Sequence, residues 1–103
     1  MSAENAEQFN LLTRDILRIL IDACPTQVEL NAEKFELEKG SFETPSGFIG
    51  GFYKSTPQEK FLTDTLQWLT AEGFIRAGDH RDYYVATLQT LKLYGSVPNA
   101  LSA

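Results

Sequence analysis

Between Thr56 and Thr87 the chain reads TPQEKFLTDTLQWLTAEGFIRAGDHRDYYVAT, and this stretch narrows the fold more than any other. Thr56 suits a helix N-cap, and Pro57 suits the first helical position, where no amide hydrogen is needed. Glu59 falls three residues after Thr56, as in a capping box. Phe61, Leu62, Thr65, Leu66, Trp68 and Leu69 then share one side at helical spacing, with Lys60, Thr63, Asp64, Gln67 and Thr70 on the other. Gly73 marks the stop, because glycine accepts the left-handed conformation that helix C-termini often adopt. Phe74 and Ile75 follow at once and are expected to continue the core. Arg76 to Arg81 is a polar turn containing Gly78, and Tyr83, Tyr84 and Val85 form a second β-prone run.

A helix, then EGFIR, a charged turn and YYVAT resemble the end of a winged-helix domain. The resemblance implies a recognition helix from Thr63 to Gly73. It also implies a first wing strand from Phe74 to Ala77 and a second from Asp82 to Thr87. An ordinary hairpin of another α+β domain fits the same local sequence. The fold class expected is α+β and winged-helix-like, with three to four helices and a small antiparallel sheet that includes the wing hairpin.

At 103 residues the chain is expected to form one domain over 1–103. Its 43% hydrophobic and 22% charged residues are ordinary for a globular protein. No run of apolar residues is long enough to span a bilayer, and no basic-then-apolar leader precedes the domain, so no membrane partner is expected. One cysteine cannot form an internal disulfide, which fits a reducing, cytoplasmic setting.

Ala3 to Cys24 reads as the first helix. Phe9, Leu12, Ile16, Leu20 and Ala23 share a face with Leu17 and Ile19 at its edges, and Arg14, Asp15, Arg18 and Asp22 lie opposite. Leu11 falls among those polar residues. Two readings fit it: a homodimer contact through this helix, or a single exposed leucine of the ordinary kind. Pro25 ends the helix, and Cys24 reads as a buried small thiol. Val28 and Leu30 alternate with polar neighbours as a short strand, which in a winged helix joins the wing hairpin. Asn31 then caps a brief helix carrying Phe35 and Leu37. After Thr87, a cap, Leu88, Leu91 and Leu93 or Tyr94 form a short last helix stopped by Gly95.

The family pattern breaks at about 39–55, KGSFETPSGFIGGFYKS. A DNA-binding helix-turn-helix joins its helices through three or four residues, and this insert is far longer. It is rich in glycine and aromatics. Lys54-Ser55 follows Tyr53 rather than glycine, so the insert does not match a phosphate cradle. It is a loop that offers Phe42, Phe48, Phe52 and Tyr53 to a protein partner, or it folds back and pairs as extended chain over its own core. The second reading is the plainer one.

No catalytic residues, metal ligands or cofactors are expected. His80 is the sole histidine, set in a turn between charged residues, and Pro45-Ser46-Gly47 does not match a serine elbow. The resemblance implies double-stranded DNA as a partner. Lys60, Thr63, Gln67 and Thr70 would then face the bases, and Arg76, His80 and Arg81 the phosphates. The charge argues the other way. The net charge is −5, and from Thr56 to Gly73 the acids Glu59, Asp64 and Glu72 outnumber Lys60. A non-catalytic regulatory module that binds DNA, and one that binds protein through the insert and an acidic surface, therefore both stand as expectations.

Overall fold

The computed structural model describes residues 2–43 and 52–101, and only the backbone of Phe42, Glu43, Phe52 and Tyr53. The chain runs α1 (Ala3–Ala23), β1 (Val28–Glu29), β2 (Ser41–Glu43), β3 (Phe52–Lys54), α2 (Pro57–Ala71), β4 (Ile75–Ala77), β5 (Tyr83–Ala86) and α3 (Leu88–Leu93), with a 3-10 turn at Asn99–Leu101. The class is α+β. A three-stranded antiparallel sheet has the order β1-β5-β4, with Val28 opposite Tyr84 and Ile75 opposite Ala86. A separate ribbon pairs β2 with β3.

The core follows from the helical and strand periods. Ile16, Leu17 and Leu20 of α1 meet Leu62, Leu66 and Leu69 of α2, with Leu30, Ile75, Ala86 and Leu91 completing the cluster. Leu17, expected at the edge of the α1 face, is fully inside. Helix α1 packs against β1, β5, α2 and α3. Cys24 is half-buried rather than buried.

Caps fix the ends of α2 and α3. Thr56 accepts the Glu59 amide at 3.1 Å, and the Glu59 carboxylate accepts the Thr56 amide at 3.2 Å. Thr87 caps α3. Its hydroxyl donates to the Gly73 carbonyl at 2.6 Å, tying α3 to the end of α2. Gly73 has φ of +82°, which explains glycine at that stop.

Three further expectations need correcting. Residues 32–36 form turns and no helix. Asn31 does accept the Lys34 amide at 2.9 Å, but Glu36 takes a φ of +56°, which ends any helical continuation. Phe74, expected in the core, is half-buried, because the next residue, Ile75, takes the inward position of β4 at 1% exposure. The wing strands expected at Phe74–Ala77 and Asp82–Thr87 are shorter, at Ile75–Ala77 and Tyr83–Ala86.

The ribbon fits the plainer reading of the insert in its pairing: Ser41 faces Lys54 and Glu43 faces Phe52 across an antiparallel ladder. Its base is bound to the start of α2. Thr56 donates to the Glu38 carbonyl at 2.6 Å, the Glu38 amide donates to Gln58 at 2.7 Å, and the Gly40 amide donates to Glu59. A Cβ at Gly40 would stand 1.9 Å from the Lys54 carbonyl oxygen, so that close approach requires glycine.

Candidate interaction surface

Helix α2 presents two different surfaces. Its polar side carries the residues expected to face DNA. Lys60, Thr63, Gln67 and Thr70 are all exposed. Lys60 is in an ion pair with Asp64 at 3.3 Å, one helical turn on. Its charge is therefore balanced locally. The Thr70 hydroxyl donates to the Leu66 carbonyl at 2.7 Å.

The β4–β5 turn stands beside this side. Arg81 and Asp82 share a recess of 260 Å³ with Ser55, Glu59 and Thr63, floored by Leu62 and Leu66. Arg76 stands on β4 opposite Val85, and His80 rests its ring on Tyr83 at 5.8 Å. The structure thus brings Arg81 to Thr63, but with the carboxylates of Glu59 and Asp82 in the same recess. The turn itself is pinned from below, where the Gln27 amide oxygen accepts the Asp79 amide at 2.9 Å.

The second surface is apolar and is built on a residue that helical spacing assigns to the core. Trp68 falls with the core side of α2 in the sequence pattern, yet it is 46% exposed. Adjacent helical residues lie about 100° apart, so a fully buried Leu69 turns Trp68 away from the core. The indole instead bridges two other rings. Phe9 of α1 meets it edge-on at 5.2 Å, and Phe74 stacks nearly parallel at 6.2 Å. Phe74 continues into a shallow recess with Leu88, Gln89, Lys92 and Leu93. Leu88 and Leu93 of α3 are 43% and 66% exposed. On the other flank Trp68 shares a recess with Phe9, Phe61 and Asp64. The result is a continuous strip from Phe61 through Trp68 and Phe74 to Leu93. The sequence carries one trace of it, the angle of about 100° between Trp68 and Leu69 on α2; the rest depends on the fold that brings Phe9, Phe74 and Leu93 alongside.

Of the aromatics expected to serve a partner from the insert, Phe42 lies on β2, and Phe52 and Tyr53 on β3, described in backbone only; Phe48 lies outside the described residues. Among the described residues no group of His, Cys, Asp and Glu is placed to hold a metal ion. No helix among them is long and apolar enough to cross a membrane. Fold and surface together define a small α+β domain with an exposed apolar strip. No protein-family model, curated protein or solved structure matches the chain.

Proposed function

We propose that this chain is a non-catalytic, winged-helix-like regulatory module that works by docking a protein partner. The element order α1, β1, α2, β4, β5, with β1 added beside the hairpin, supports the winged-helix-like reading. The observation that carries the functional part is the strip centred on Trp68. A half-exposed tryptophan held between two phenylalanines, continuous with two exposed leucines, is what a partner desolvates at the centre of an interface. The insert then acts as a scaffold beside α2 and need not be the contact itself.

Duplex DNA is the second reading. Exposed Thr63 and Gln67 on α2, with Arg81 beside Thr63, favour it. The Lys60–Asp64 pair and the net charge of −5 weigh against it.

Two measurements in parallel test the choice. The first is cross-linking capture from the source cell with the native chain, Trp68→Ala and Leu93→Ser. The second is titration with random-sequence duplex DNA at low salt. The expected result is one specific partner held by the native chain, weakened by more than about 1 kcal/mol in Trp68→Ala, and no DNA binding. The protein reading would be overturned by DNA binding whose salt slope falls by about one for each arginine replaced in Arg76→Ala with Arg81→Ala.

A further inference from the structure

We infer that the chain self-associates as an antiparallel pair through the outer face of α1, centred on Leu11. Leu11 is 42% exposed, at the rim of a recess that it lines with Gln8, Asp15, Phe35, Leu37 and Phe61. The charges around it are segregated along the helix. Glu4 and Arg18 stand seven residues before and after it, and Glu7 and Arg14 four before and three after. All four are exposed and fall on the same stripe as Leu11.

Within one helix this stripe sets like charges side by side, although Arg18 also has Asp15 three residues before it and Asp22 four after, and the three line one recess. Glu4 and Glu7 are like charges at i, i+3, and Arg14 and Arg18 are like charges at i, i+4. Among the described residues Glu4, Glu7 and Arg18 form no ion pair within the chain, and Arg14 has only an exposed contact with Asp15 at 3.6 Å. A second copy laid antiparallel, with Leu11 against Leu11, resolves both conflicts. Glu4 then meets Arg18 of the other copy about 10 Å from the centre, and Glu7 meets Arg14. Two-fold symmetry repeats each pair, so charge complementarity selects a second copy as the occupant. A parallel pair would set acid on acid. One helix–helix contact is at or below the small end of stable interfaces, about 1,200 Å² in total. The dimer is therefore concentration-dependent and weakens with salt.

This surface borders the strip only at Phe61, with which Leu11 shares a recess, and is turned away from Trp68 itself. Phe9, which meets Trp68, lies about 200° around α1 from Leu11.

Sedimentation of the full chain tests the inference. The native protein should pass from 11.6 kDa to twice that mass as concentration rises. Leu11→Asp should weaken the dimer at least tenfold. Glu4→Lys with Glu7→Lys makes the stripe all positive, and Arg14→Glu with Arg18→Glu makes it all negative. Each variant alone should be monomeric, and an equimolar mixture should recover the dimer mass. Circular dichroism confirms that each variant is folded; if one is not, Leu11→Ala and the salt dependence of the native dimer carry the test. A native chain that stays monomeric at about 0.1 mM, where a complex of Kd about 10 µM is mostly formed, overturns the inference. So does a dimer indifferent to Leu11 and to charge reversal, or two folded charge variants that fail to associate when mixed.

Discussion

Leu69 is 1% exposed and packs in one cluster with Ile16, Leu20 and Ile75. Truncation to alanine removes buried methyl groups and leaves a cavity that this small core closes only in part. Leu69→Ala should cost about 2–5 kcal/mol. Chemical denaturation would measure it, and a loss under about 0.5 kcal/mol would contradict the observed packing. Its neighbour in sequence behaves differently: Trp68→Ala removes a half-exposed ring and should cost less stability. Tyr84 gives a pH signature. Burial raises the pKa of its hydroxyl above the usual value near 10, and the Asp82 charge adds to the rise. A phenol with a raised folded pKa contributes its stability fully below the unfolded value. The contribution fades as pH climbs from about 10 through the folded value. Alkaline melting curves of the native chain and Tyr84→Phe should diverge in that window, with the steeper decline in the native chain. Parallel curves would remove Tyr84 as the source.

At the scale of elements, the start of α2 joins two structures through one threonine. The Thr56 hydroxyl accepts the Glu59 amide and donates to the Glu38 carbonyl at the base of the ribbon. Thr56→Ala should therefore cost about 0.5–2 kcal/mol from the cap. It should also speed amide exchange at Ser41 and Lys54, which a cap acting on α2 alone would leave unchanged. Such local bonding is what the sequence displays best. The Thr56–Glu59 box, the Gly73 stop, the hairpin after it and the Thr87 cap are all legible, because each depends on residues a few positions apart. Long-range packing is not. Residues 32–36 resemble a capped helix locally, yet Glu36 takes a left-handed φ, and the Leu37 amide returns to the Ala32 carbonyl at 2.8 Å. Trp68 escapes the sequence pattern because a tryptophan is apolar wherever it points, and only the placement of Phe9 and Phe74 decides where it lies. The candidate surface is therefore less legible than the fold: Thr63 and Arg81 do share a recess, but the strip from Trp68 to Leu93 is assembled from α1, α2, the turn between α2 and β4, and α3.

Across the whole molecule, the two proposed contacts lie on opposite sides of α1, which makes them separable by one probe. Trp68 is the chain's single tryptophan. At 46% exposure its emission should be red-shifted toward that of a solvated indole, and acrylamide should quench it readily. Self-association through Leu11 leaves the Phe9–Trp68–Phe74 stack untouched. Raising protein concentration through the monomer–dimer transition should therefore change neither the emission maximum nor the quenching constant. Docking of a partner on the apolar strip excludes water from the indole. Adding that partner should shift emission to the blue and cut quenching at any concentration of the chain, in Leu11→Asp as in the native protein. If dimerisation alone protects Trp68, the strip is the self-association surface and the assignment of α1 to that role is wrong. If a bound partner leaves Trp68 as quenchable as before, the strip is not its docking surface.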